Sequence, residues 1–297
     1  MNERFTMQWV VEANEDKLLL RDYLKQKNIS KRALTGVKFG GGEIEVNGHV
    51  ATVRKSLTQG DVVKITFPCE KRSATLIGEE IPLKILYEDE AILVINKPPF
   101  MNTIPSREHP NGSIANAIIG HYTNHNYPSA VHIVTRLDRN TSGLMLIAKH
   151  SHAHHILSKD QQRGDIIRTY LAIVHGVVDP LSGVIKEPIG RKNSSIIERE
   201  VREDGQRAIT HYEVKKVFGA SCLVGLKLET GRTHQIRVHM RHIGHPIVGD
   251  DLYGGKVDLM ARQALHCAEL QLLHPNTGEY VCFREDLPDD MKNFLNN

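Results

Sequence analysis

The strongest constraint on the fold is a run of strand-like segments that no regular succession of helices separates. "KILYEDEAILVINKPP" reads as a strand, an acidic turn and a buried strand ending at Lys97 and Pro98. "GLMLIAKH", "RTYLAIVHGVV", "AITHYEVKKVF" and "SCLVGLKLET" follow, each rich in β-branched or aromatic residues. "SHAHHILSKDQQ" reads as a helix, but strands outnumber helices and β-α alternation is absent. The expected class is therefore α+β, with a mixed, largely antiparallel sheet and flanking helices.

With 297 residues the chain has room for about two domains. The first is expected over residues 14–70, after an N-terminal tail at 1–13. Leu18, Leu19, Leu20, Tyr23 and Leu24 form an apolar stripe of helical period, and Ser30 is placed to cap a second helix running to about Phe39. Gly40, Gly41 and Gly42 break that helix; no P-loop sequence follows, so they serve a turn and not a phosphate cradle. "EIEVNGHVA" is a hairpin with an Asn-Gly turn, and "GDVVKITFP" adds a strand. "KRSATLIGEE", residues 71–80, is polar and poorly periodic and reads as a linker to a second domain at 81–297.

Charge separates the two halves of the first domain. Lys17 to Phe39 carries seven bases against one acid, whereas Gly40 to Glu70 carries three against four. A basic stripe over two helices, with Lys31 and Arg32 at a helix start and Lys38 near its end, suits a phosphate backbone. No stretch has the apolar length of a membrane span, and the start does not read as a signal peptide, so a cytoplasmic protein is expected. Cys69, Cys222, Cys267 and Cys282 are widely spaced and read as reduced and buried.

Two segments concentrate chemistry. "VTRLDRNTSGLMLIAK" sets Asp138 between Arg136 and Arg139, then passes through Thr141, Ser142 and Gly143 into a strand. The hydroxyls can bond the local backbone, and the glycine permits an unusual dihedral. Neighbouring cations favour a charged carboxylate, which suits a nucleophile better than a general acid. "TGRTHQIRVHMRH" reads as a Gly231 turn into a helix with Arg232, Gln235 and His239 on one side and Arg237 near the opposite side. Such a helix can offer one guanidinium to an internal carboxylate and another to phosphate. His150, His152, His154 and His155 lack a carboxylate partner at a metal-site offset and read as a polar helix face, with no metal.

"INKPP" at 95–99, "RLDRNTSGLML" at 136–146, "RTYLAIVHG" at 168–176 and "TGRTHQIRVHM" at 230–240 resemble, in order and spacing, the successive motifs of the RluA-type RNA pseudouridine synthases. "ALHCAELQLLHPNTGE" is similar to that family's closing segment. The first domain resembles the RNA-binding module named after ribosomal small-subunit protein four. The resemblance implies cofactor-free isomerisation of uridine to pseudouridine in RNA, ribosomal RNA ahead of transfer RNA; a monomer is expected. The same resemblance implies Asp138 as nucleophile at either the ribose C1′ or the uracil C6, Tyr170 as the residue that packs on the target base or takes the proton, and Arg237 as the partner of the aspartate. Arg136 would hold the RNA open, with Arg139 and Arg232 gripping it. Two positions depart from the family pattern: Thr135 replaces a histidine and Phe100 a glycine.

Two rival classes stand beside this one. A retaining glycosidase needs a second carboxylate about 5 Å from the first, and the motif holds none. A non-catalytic RNA-binding or ribosome-assembly protein on the same fold would be expected to lose the aspartate or the tyrosine, and both are present.

Overall fold

The computed structural model describes residues 4–258 and 260–296. The first unit runs β1 (Thr6–Val10), α1 (Leu20–Gln26), α2 (Lys31–Phe39), β2 (Glu43–Val46), β3 (His49–Val50) and β4 (Val62–Thr66). Its strands form an antiparallel sheet in the order β1-β4-β2-β3. Asn47 and Gly48, at φ 55° and 76°, make the turn between β2 and β3, and the Ser30 hydroxyl accepts from Ala33 N–H to cap α2. The segment expected as an N-terminal tail belongs to the sheet where it is described: Thr6–Val10 pairs along its whole length with Val62–Thr66. Leu20, Tyr23, Leu24 and Val37 of the helices close over Ile44, Val46, Val63 and Ile65 of the sheet. That leaves the basic face of α2 in water.

The second unit contains β5 (Lys84–Glu88), β6 (Ile92–Lys97), α3 (Ile114–Asn124), β7 (His132–Ile133), β8 (Ser142–Ala148), α4 (Ser151–Arg163) and β9 (Ile167–His175). It continues with β10 (Ser182–Ile185), β11 (Ile189–Arg191), β12 (Arg199–Val201), β13 (Thr210–Phe218) and β14 (Ser221–Leu228). α5 (Gln235–His242), β15 (Leu265–Leu273), β16 (Tyr280–Arg284) and α6 (Asp289–Asn296) complete it. Its main sheet has the order β10-β13-β14-β9-β15-β8-β6-β5, with β16 on β15 and β7 on β8. Among the described residues only β15 and β8 pair in parallel, so the sheet is mixed and largely antiparallel.

That parallel pair sets the position of the later site. Cys267 of β15 faces Gly143 of β8 on one side and Tyr170 of β9 on the other, so the three lie in one row across adjacent strands. Gly143 sits at φ 115°, and a Cβ there would come within 2.3 Å of the Cys267 carbonyl oxygen. Only glycine lets the backbones approach this closely, and the loop before Gly143 is thereby brought beside Tyr170.

The two units meet through aromatic and charged contacts. The Phe5 ring stacks on His150 with centroids 3.6 Å apart, and Phe67 lies 5.7 Å from His152. His150 and His152 are accordingly not part of a polar helix face, whereas His154 and His155 keep partial exposure. His150 precedes α4 and caps it by accepting from Ala153 N–H, and His152 is buried. Among the described residues no three His, Cys, Asp or Glu side chains group to hold a metal ion. Segment 71–80 is irregular but strapped down, because Arg72 donates to the carbonyls of Tyr127 and Ser129 and Asn116 donates to that of Ile77. Cys222 and Cys267 are buried as expected, whereas Cys69 and Cys282 are exposed.

Glu70 ends the first unit and docks on the second. Its carboxylate accepts from Ser151 N–H at 2.7 Å and Ser129 Oγ at 3.0 Å, and meets the His132 ring. Burial alone would raise its pKa, but His132 and the Ser151 bonds hold it down at about 2. A folded-state value below the unfolded one means the stabilisation is present above about pH 4.5 and is lost as pH falls toward 2. Glu70→Gln should therefore lower stability near neutrality by about 2 kcal/mol. In chemical denaturation the gap to the parent should close as pH drops through that window.

Candidate active site

Asp138 lies in the loop between β7 and β8, and the backbone around it is fixed carbonyl by carbonyl. Thr103 Oγ1 donates to the Leu137 oxygen at 2.7 Å and Thr141 N–H to that of Asp138 at 3.1 Å. Lys97 Nζ donates to the Arg139 oxygen at 3.0 Å and Arg262 to that of Asn140 at 3.1 Å. Every carbonyl from Leu137 to Asn140 is thus held, three of them by side chains distant in sequence. Lys97 is fully buried and also donates to Pro98 and Met101, so the "INKPP" turn and the Asp138 loop share one anchor. Burial first, and then the charges of Arg262 and Arg139, pull the Lys97 ammonium down to about 7.

The expected bonds from Thr141 and Ser142 to the local backbone are replaced by longer reaches. Thr141 Oγ1 accepts from Gln263 at 3.2 Å, and Ser142 Oγ meets His266 Nδ1 at 2.9 Å. Thr135 is buried, and its hydroxyl accepts from Leu146 N–H of β8. Phe100 sits at φ 66°, where glycine costs less, and is half exposed.

The arginines flanking Asp138 in sequence do not pair with it: Arg136 and Arg139 are exposed along the cleft. The partner is Arg237, whose Nη1 stands 3.4 Å from an Asp138 oxygen. The helix carrying it starts later than the sequence suggests. His234 takes a left-handed conformation at φ 57°, and α5 begins at Gln235, so Arg232 precedes the helix and bonds the Arg207 carbonyl. Arg237 is itself clamped by Asp250, a residue outside both motifs. Asp250, with no solvent exposure, receives Arg237 Nε at 2.7 Å and Nη2 at 2.8 Å. Burial opposes the Arg237 charge, but the bonds and charge of Asp250, with Asp138 behind them, raise its pKa above the usual arginine value. Tyr253 covers the guanidinium at 4.8 Å and meets His234 Nδ1 through its hydroxyl at 2.7 Å.

Arg136, Asp138, Tyr170, Arg232 and Arg237 line one pocket, and Arg139 lines the adjoining cleft. The Asp138 side chain keeps 29% of its exposure, so a substrate can reach it. Burial pushes the Tyr170 phenol well above its ordinary value, favouring the neutral form. Lys31, Arg32 and Lys38 lie elsewhere, exposed on α2. Asp250, Tyr253, His234 and Lys97 were not picked out in advance. For Asp250 and Tyr253 the available signal was "GDDLYGG", which starts seven residues beyond His242 at the end of the arginine motif, but its spacing does not reveal the clamp.

The model of the RNA pseudouridylate synthase family matches residues 91–242. A Bacillus subtilis protein described as "Uncharacterized RNA pseudouridine synthase YjbO" is 51% identical over 278 residues, covering 94% of this chain and 98% of that one. "Ribosomal large subunit pseudouridine synthase D" of Haemophilus influenzae is 37% identical over 268 residues, covering 85% and 82%. "Human RNA Pseudouridylate Synthase Domain Containing 1" shares the fold, with a TM-score of 0.61 at 23% identity over 73% of this chain and 89% of that one. The chain belongs to the RNA pseudouridylate synthase family, in its RluA/RluD branch. It is an isomerase that turns uridine in RNA into pseudouridine.

Removing one partner of the clamp strands a buried charge. Asp250→Asn should cost about 3 kcal/mol in denaturant unfolding, and the refolded protein should lose turnover without losing RNA affinity.

Proposed function

We propose that the substrate is ribosomal RNA, that Asp138 is the nucleophile and that no cofactor takes part. The observation carrying this reading is the convergence of Asp138, Tyr170 and Arg237 on one cationic pocket whose lining holds a single acid. The target uridine leaves its stack, at a cost of a few kcal/mol, and its base packs on Tyr170. The Asp138 carboxylate attacks the ribose C1′ or the uracil C6. The C1′–N1 bond breaks, the base turns and C5 bonds to C1′; the bond to Asp138 breaks to return the carboxylate, the C5 proton leaves to solvent and N1 takes one up. Because burial favours the neutral phenol, Tyr170 serves this scheme as a packing face ahead of any role as proton acceptor.

The ribosomal assignment draws on relatives named as large-subunit synthases, such as that of Haemophilus influenzae. The first unit, two helices on a small sheet with a basic exposed helix, serves as the RNA-binding module, with Lys31, Arg32 and Lys38 on the backbone. Arg136, Arg139 and Arg232 grip the strand around the flipped nucleotide. A glycosidase reading finds no support, since no second carboxylate lines the pocket.

The test is carbodiimide mapping of pseudouridines in ribosomal RNA from cells lacking the protein. One or a few sites should vanish, returning with the parent chain and not with Asp138→Ala; an unchanged map would refute the ribosomal assignment. Replacing Lys31, Arg32 and Lys38 with glutamine should weaken RNA binding in vitro and flatten its salt dependence, by about 0.7 in log-log slope per lost contact. The turnover rate at saturating RNA should hold.

A further inference from the structure

Three buried arginines surround the site, and one of them has no partner. Arg237 and Arg262 each hold a carboxylate through two hydrogen bonds, to Asp250 and Asp290 respectively. Arg168 is only 8% exposed, yet its buried Nε has no hydrogen-bond partner, and no carboxylate lies within 4.0 Å of its guanidinium among the described residues. A buried charge left unpaired is costly. An anion absent from the free chain would account for its retention.

The surroundings say where that anion sits. Arg168 and Tyr170 are two residues apart on β9, so their side chains leave the same face of the sheet about 6.8 Å apart. Both line the pocket that holds Asp138, and Arg168 also lines the adjoining cleft. Gly231 has no left-handed dihedral to explain it, but a Cβ there would stand 2.9 Å from Arg168 Nη2. Glycine at 231 therefore keeps space open at the guanidinium. Arg136, Arg139 and Arg232 make the same cleft cationic.

We propose that Arg168 receives the phosphodiester joined to the flipped uridine, through the planar fork a guanidinium offers two phosphate oxygens. Gly231 gives that phosphate its approach. The assignment rests on the synthase reading: with the base on Tyr170 and the ribose at Asp138, the nucleotide's phosphate falls at the neighbouring position on the strand.

The test uses the full chain, ribosomal RNA transcripts carrying C5-tritiated uridine, and the variants Arg168→Met and Arg168→Lys. Because no acid loses its partner, Arg168→Met should unfold at or above the parent's temperature, the opposite of what a structural ion-pair residue shows. Its KM should rise about tenfold, the worth of one charge-assisted hydrogen bond, with kcat little changed. Its salt slope of binding should fall by about 0.7. Arg168→Lys should restore the slope and only part of the KM, having charge without the fork. An Arg168→Met protein with the parent's slope and KM, or with its loss confined to kcat, would overturn the phosphate assignment. So would an Arg168→Lys protein with the parent's KM. Failure of the parent itself to release tritium would instead overturn the synthase reading, while the binding slopes would still decide the phosphate contact.

Discussion

The bidentate bond between Arg237 and Asp250 is the interaction on which the site depends. It is buried, so desolvation would be severe without two short hydrogen bonds. Because Asp250 occupies Nε and Nη2, Arg237 has only Nη1 to turn toward Asp138, at 3.4 Å. The Asp138 carboxylate is therefore approached by a positive charge without being enclosed by it. An unclamped guanidinium could fold both arms over Asp138 and occupy both of its oxygens.

A second constraint holds Asp138 in place. Its loop is anchored from β6 through Lys97, from the segment after β6 through Thr103 and from the segment before β15 through Arg262. The row Gly143–Cys267–Tyr170 then fixes the distance to the aromatic face. Precise placement of a reactive group is a large part of catalytic rate. Here it comes from sheet register and backbone anchoring, with few contacts to the carboxylate itself.

Much of this was legible in the sequence, and the remainder has physical reasons for being hidden. The Asn-Gly turn, the Ser30 cap and the strand-rich second unit follow from local rules, and Asp138, Tyr170 and Arg237 stand in motifs that the fold brings to one pocket. Which arginine meets Asp138 is a matter of sheet order: proximity in sequence suggested Arg136 and Arg139, whereas the family resemblance pointed to Arg237, which stands 3.4 Å from it. Thr6–Val10 became a strand because the free edge of β4 was there to pair with it, which no local pattern announces. Cys69 and Cys282 are exposed because one lies beyond the first sheet and the other on an outer strand. His150 and His152 are buried because the first unit docks on them.

The central claim is that Asp138, held by its pinned backbone and faced by a clamped Arg237, carries out the chemistry. The most direct measurement is single-turnover release of tritium from C5-labelled uridine in ribosomal RNA, comparing the parent with Asp138→Asn, which keeps the shape and removes the charge. The account predicts release by the parent and none by the variant at equal RNA occupancy. Release by Asp138→Asn at the parent's rate would contradict it.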